Sequence, residues 1–161
     1  MSTSTSAPRQ ARGAYAEPAA APVGIDPRGP QFTATITAAV LIAILLLPPL
    51  AAGTLTAVQA VLFAIGATRG VQHTVHAAVF RRFIRPRLAA PDHLEDPAPP
   101  RFAQGVGFAF TAVALLGYAT GLTLLGQIAI GLALVAALLN AVFRFCLGCE
   151  MYLLIKRATT R

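Results

Sequence analysis

Residues Gln31 to Thr68 read QFTATITAAVLIAILLLPPLAAGTLTAVQAVLFAIGAT, without one charged side chain and with Pro48-Pro49 as the break. A bilayer core takes about 20 apolar residues per helix. Each side of the proline pair therefore fits one crossing, over about 31–50 and 52–69, joined by the tight turn Pro-Pro-Leu-Ala-Ala-Gly. Two more apolar runs lie downstream. Phe102 to Thr120 fits a third crossing over about 102–120. The run from Leu122 to Ile155 is too long for one crossing even when tilted. Written as one helix over 122–155, its surplus must emerge from the bilayer, lie in the interface or break.

Composition agrees with these runs. The 161 residues are 56% hydrophobic and 12% charged, with a mean hydropathy of +0.66. So apolar a chain is neither disordered nor fibrous. Ordinary soluble domains carry about a quarter of their residues charged, so that class is excluded too. The fold expected is all-α and integral to the membrane, with four transmembrane helices in two tight hairpins and an amphipathic surface helix.

The net charge of +7 is unevenly placed. Arg9, Arg12 and Arg28 precede the first crossing, and Lys156, Arg157 and Arg161 follow the last. Arg69, Arg81, Arg82, Arg85, Arg87 and Arg101 lie in the central connection. These are twelve of the thirteen basic residues, and the two hairpins hold none. Four crossings put all twelve on one side, which the positive-inside rule makes cytoplasmic. The expected location is the bacterial inner membrane, multi-pass, with both termini in the cytoplasm and the lipid bilayer as the first partner.

Residues 1–24 are rich in Ala, Ser and Pro and lack an apolar centre. They read as a disordered tail with no signal peptide, followed by a membrane domain over 25–157 and a short tail over 158–161. In the central connection Val71, Val75, Val79 and Phe83 recur every four residues, and Arg81, Arg82 and Arg85 crowd its end. That pattern predicts an interfacial helix over about 71–85, with the three arginines contacting lipid. Pro91 to Pro100 is acidic and proline-stiffened, and reads as an extended strap.

Two cysteines, Cys146 and Cys149, carry the chemistry. On a continuous helix their spacing puts both sulfurs on one side with Cβ atoms about 5–6 Å apart. That suits a reversible dithiol, whereas a relaxed disulfide needs about 3.5–4.5 Å. Glu150 shares the cysteine face as a proton acceptor. While ionised beside Cys146 it favours Cys149 as the thiol of lower pKa. Arg144 falls on the far side of such a helix and reads as an interfacial snorkelling residue. Asn140, Gln59, Gln104 and Gln127 read as hydrogen-bonding glue between helices, and Gly66-x-x-x-Gly70 and Gly117-x-x-x-Gly121 as close-packing motifs. No metal or cofactor is assigned. The one set that could hold zinc is His73 and His76 with the two cysteines, although histidines on such a helix more often sit at the interface. Phosphate loops, nucleophile elbows and paired carboxylates are missing from the sequence. The basic residues lack the interleaved aromatics of a nucleic-acid platform.

Three motifs, Ile25-Asp26-Pro27-Arg28-Gly29-Pro30, Leu94 to Gly105 (LEDPAPPRFAQG) and Phe145 to Tyr152 (FCLGCEMY), together resemble an uncharacterised, mainly actinobacterial membrane family known as a domain of unknown function. The resemblance implies a small polytopic inner-membrane protein, often encoded near thioredoxin-like and sulfurtransferase-like proteins. The function expected is a membrane CxxC dithiol, with Cys146, Cys149 and Glu150 at its centre, relaying electrons or sulfur to such a partner. The alternative is a non-enzymatic membrane anchor or assembly subunit that docks a cytoplasmic protein. Whether the chain is an enzyme is left open by its residues.

Overall fold

The computed structural model describes residues 24–160. The tail expected over 1–24 lies, Gly24 apart, outside the described residues. Four helices are long and apolar enough to cross a membrane: α1 (Arg28–Leu46), α2 (Pro49–Arg69), α4 (Ala98–Ala119) and α5 (Thr123–Phe143). A short helix, α3 (Val75–Val79), lies between the hairpins, and α6 (Leu147–Thr159) follows α5. The protein is an all-α membrane protein.

Prolines sharpen the helix starts. Pro30 lies in the first turn of α1, Pro49 opens α2, and Pro99 and Pro100 lie in the first turn of α4. The first four amides of a helix have no partner within it, so proline's missing N–H costs nothing there. This is why α1 and α4 begin three or four residues before their apolar runs, and why Leu47-Pro48 alone links α1 to α2. Asp96 accepts from the Ala98 amide at 2.9 Å and helps hold the start of α4.

The four spans form a ring in which α1 packs on α2, α2 on α4, α4 on α5 and α5 on α1. Neighbours run antiparallel. The Gln31 side chain at the start of α1 donates to the Ala141 carbonyl at the end of α5 (3.0 Å), and Arg101 at the start of α4 donates to Ala67 near the end of α2 (2.7 Å). At the opposite end a Cβ on Gly117 would stand 2.6 Å from the Gly126 amide nitrogen, so α4 and α5 cross backbone to backbone. The core is correspondingly small-residue: Leu41 and Ile44 meet Ala52, Ala114, Ala129, Ile130 and Ala133. Thr56 and Thr111 are fully buried, and their hydroxyls donate to the carbonyls of Ala52 and Gly107 one turn back. Val61, Leu116, Ile128 and Leu132 stay exposed on the outer faces. Lipid chains are as apolar as these side chains, so such a bundle gains from close packing rather than from hiding every Leu.

Both small-xxx-small spacings divide their labour. Gly66 and Gly117 pack, with the Gln104 side chain lying over Gly66; Gly70 (φ 95°) and Gly121 (φ 77°) end helices in a left-handed conformation. The glutamines and Asn140 depart from expectation. Among the described residues none of Asn140, Gln59, Gln104 and Gln127 makes a side-chain hydrogen bond between helices. Gln31 does so instead.

The surface segment is shorter-ranged than one helix over 71–85. A 3-10 turn (Val71–His73) is followed by Thr74, whose hydroxyl accepts from the Ala77 amide (3.3 Å) and caps α3. A π-helical turn (Phe80–Ile84) and a 3-10 turn (Arg85–Arg87) complete it. Phe80 points inward against Phe32 with ring centroids 5.8 Å apart, while Val75, Val79 and Phe83 remain exposed as its apolar outer stripe.

Candidate functional site

The long fourth run breaks. α5 ends at Phe143, and Arg144 takes the left-handed conformation (φ 57°). The chain turns through Phe145, and Cys146 becomes the N-cap of α6 with extended dihedrals (φ −89°, ψ 97°). The two cysteines are therefore not a pair on one continuous helix. Cys146 stands before the first turn and folds back over it. Its Sγ accepts from the Cys149 amide at 3.3 Å, and the two residues form a disulfide with Cα atoms 5.2 Å apart. That separation lies within the ordinary disulfide range. On a continuous helix the spacing suits a reversible dithiol but not a relaxed disulfide. The break at Arg144 removes the objection.

Gly148 seats the motif. A Cβ there would meet Ala103 of α4 at 2.6 Å, so only glycine lets α6 lie this close to α4. Phe102 and Tyr152 extend the same contact with ring centroids 5.8 Å apart.

The disulfide opens on a cavity of about 480 Å³ at the polar end of the bundle. Three separated segments wall it. The first is the strap before α1: Ile25 and Glu95 exchange backbone hydrogen bonds of 2.9 and 3.0 Å in a lone antiparallel bridge. Asp26 accepts from Arg28 at 2.9 Å through both carboxylate oxygens, and Arg28 also donates to the Ala89 carbonyl at 3.0 Å. This pairing holds the Asp26 carboxyl below its ordinary value. The second wall is the acidic strap, which reads as extended only to Asp96 and contributes His93, Glu95 and Asp96. The third is Asn140 to Leu153, contributing Asn140, Arg144, Cys146, Cys149 and Glu150. The three motifs that are far apart in sequence thus meet around one disulfide.

A family model described as "Domain of unknown function (DUF4395)" matches residues 25–157. The chain belongs to the DUF4395 family. No curated protein and no solved structure matches it.

In this DUF4395 chain Cys146, Cys149 and Glu150 do come together, on the first turn of α6 and the residue before it. Arg144 joins them, although the continuous-helix reading set it on the far side. His93, Glu95 and Asp96 line the site as well. The sequence offered only their acidic, proline-rich strap as a signal. The zinc set is not assembled. His73 is exposed on its 3-10 turn, His76 lies half-buried on α3 with its pKa lowered by that burial, and both sulfurs are taken up in the disulfide. Among the described residues no three His, Cys, Asp or Glu side chains gather as metal ligands. Arg81 and Arg85 line a second cavity of about 310 Å³ between the surface segment and the first strap, and Arg82 is exposed.

Chemically, a cysteine at a helix N-terminus is the more acidic of a pair. The unpaired amides and the helix dipole stabilise its thiolate. Here the Cys149 amide already points at Cys146 Sγ. With the helix broken, Cys146 and not Cys149 occupies the capping position.

Proposed function

We propose that the protein is a thiol–disulfide relay of the bacterial inner membrane, exchanging electrons with a thioredoxin-like partner at the cytoplasmic face. One observation carries the reading: Cys146 caps α6 and is bonded to Cys149 one turn on, in a half-buried position at a polar cavity. A disulfide that merely stapled the fold would have no use for such a cavity. In the reduced state the Cys146 thiolate attacks the partner's disulfide. One partner sulfur leaves as a thiolate, and the other forms a mixed disulfide with Cys146. Cys149 then attacks Cys146 Sγ, releases the second partner sulfur and closes the Cys146–Cys149 bond. Two electrons pass to the partner. Glu150, on the same wall, takes the proton that Cys149 gives up.

The cytoplasmic assignment rests on the basic residues. Arg69, Arg81, Arg82, Arg85, Arg87, Arg101, Lys156 and Arg157 all lie at the end of the bundle that holds the cavity, and the two hairpins carry none. The same distribution supports anionic lipid as the neighbour of Arg81, Arg82 and Arg85. A membrane anchor or assembly subunit, the rival function, needs neither the disulfide nor its polar lining.

Replacing Cys149 with Ser removes the resolving thiol. The variant should accumulate a mixed disulfide through Cys146 with a cytoplasmic thioredoxin-like protein, and Cys146→Ser should accumulate far less. A pair that stays oxidised in cells under every thiol stress, with nothing trapped by Cys149→Ser, refutes the relay.

A further inference from the structure

The cavity is lined by five acidic or basic side chains besides His93, and three of them are engaged. Arg28 pairs with Asp26 just outside the lining, Glu95 stands 3.6 Å from His93, and Asp96 accepts from the Ala98 amide. The remaining two are Arg144 and Glu150. Both line the cavity beside the disulfide, both are exposed to it, and among the described residues neither makes an ion pair or a side-chain hydrogen bond. They carry opposite charge, yet they are not within ion-pair distance of each other. Their backbones explain this. Arg144 is fixed in the left-handed turn before Cys146, and Glu150 follows Cys149 on the first turn of α6.

We propose that this unpaired cation and anion recognise a small zwitterionic thiol of the amino-acid type, its carboxylate on Arg144 and its ammonium on Glu150, as the second redox substrate of the site. The inference rests on the relay reading and adds the reductant to it. A cavity of about 480 Å³ is within the usual size for a small-molecule site, about 300–1,000 Å³, and has no room for a folded domain. The partner protein must therefore meet the disulfide at the cavity mouth, while the small thiol enters. Guanidinium and carboxylate are the natural pairing for this recognition. The step balances without another reactant. A small thiolate attacks Cys146 Sγ, the Cys146–Cys149 bond breaks, and Cys149 leaves with the electron pair and takes up a proton. A second small thiol then attacks the mixed disulfide. Two thiols become one small disulfide, and the protein gains two electrons and two protons.

The test uses the full-length oxidised protein in lipid nanodiscs and four reductants: cysteine (zwitterion), 3-mercaptopropionate (anion), cysteamine (cation) and 2-mercaptoethanol (neutral). Each rate constant for reduction is divided by that reagent's thiolate fraction and by the 2-mercaptoethanol value. These ratios cancel any loss common to all thiols, including loss of Glu150 as a proton-transfer group. Two partly exposed charge contacts correspond to about a tenfold preference for cysteine. Arg144→Gln should abolish the preference for 3-mercaptopropionate and keep that for cysteamine; Glu150→Gln should do the reverse. Four equal normalised rates in the wild-type protein overturn the small-thiol inference and leave the relay standing. A disulfide that neither these thiols nor dithiothreitol reduces overturns both.

Discussion

Replacing Gly148 with Ala tests the seat of the disulfide on α4. A Cβ at this position would stand 2.6 Å from Ala103 Cβ and 2.7 Å from its Cα. Carbon atoms in ordinary contact are about 3.5–4.0 Å apart, so α6 must back away by about 1 Å, against backbone that cannot swing aside. Overpacking of this kind costs about 1–3 kcal/mol. Ala opposes it, because it is a better helix former than Gly by about 0.8–1.0 kcal/mol. The net expectation is a destabilisation of about 1 kcal/mol, read as a lower Tm in detergent micelles. Because α6 carries Cys149 and α5 leads to Cys146, the shift should also speed reduction of the disulfide by dithiothreitol. Ala103→Gly removes the nearer contact, the methyl, and leaves the one with Cα. The double-mutant cycle should then recover part of the cost, a favourable coupling of about 1 kcal/mol, a term from which both helix propensities drop out. A Gly148→Ala protein at least as stable as wild type, with no coupling to Ala103, would mean that α6 does not rest on α4.

Reporter fusions at Ala90 and Arg161 should both read cytoplasm and one at Gly53 periplasm; opposite signs at Ala90 and Arg161 refute four crossings. Changing Arg81, Arg82 and Arg85 to Glu should loosen the central connection from anionic vesicles, by about 1 kcal/mol per charge, and expose it to protease; unchanged cleavage counts against lipid contact. Asp26→Asn should free Arg28 and speed amide exchange at Ile25 and Glu95. Because Arg28 lowers the Asp26 pKa below its ordinary 3.8, this stabilisation is complete above that value and is lost as pH falls through the lowered one; wild-type amide protection, corrected for the intrinsic exchange rate, that already falls on acidification to pH 6 contradicts it. Arg144→Gly should raise Tm, since a left-handed non-glycine residue costs about 1–2 kcal/mol, and should lower the preference for cysteine over 2-mercaptoethanol. A gain in stability with full selectivity retained would divorce Arg144 from substrate.

The crossings were legible because a span is a long uniform signal. From Gln31 to Thr68 no charge interrupts it, and one proline pair marks the turn. The helix starts were not, because proline sends two opposite messages. It disfavours helix in the residue before it, yet suits the first turn itself. Pro30, Pro99 and Pro100 take the second role. Thr74 was a cap hidden inside an apolar repeat, and it divides the surface segment that Val71, Val75, Val79 and Phe83 made look continuous. Of the site, the cysteines and Glu150 could be read from their spacing alone. Their surroundings could not, because the angular placement of Arg144 presumed a helix that stops one residue earlier.

That stop explains why the site lies where it does. Leu122 to Ile155 holds no proline, and its glycines at 126, 131 and 148 all lie within helices. Nothing in its composition forces a turn at Arg144. What changes there is the charge. Arg144 is the first charged side chain after the apolar span Thr123–Phe143, a charge that resists burial in an apolar slab, and the chain beyond it lies against α4. Gly148 lets it approach, and the amphipathic α6 places Tyr152 on Phe102 and Lys156 over the Tyr152 ring. The turn this demands sets Cys146 outside the helix and Cys149 inside it. A straight exit would have left both sulfurs on a helix side wall. The bent one gives Cys146 the free amides at the start of α6 and faces the pair toward two straps that the antiparallel ring has already brought to the same end. The capping position of Cys146 is therefore a consequence of how the chain turns after α5 to lay α6 against α4.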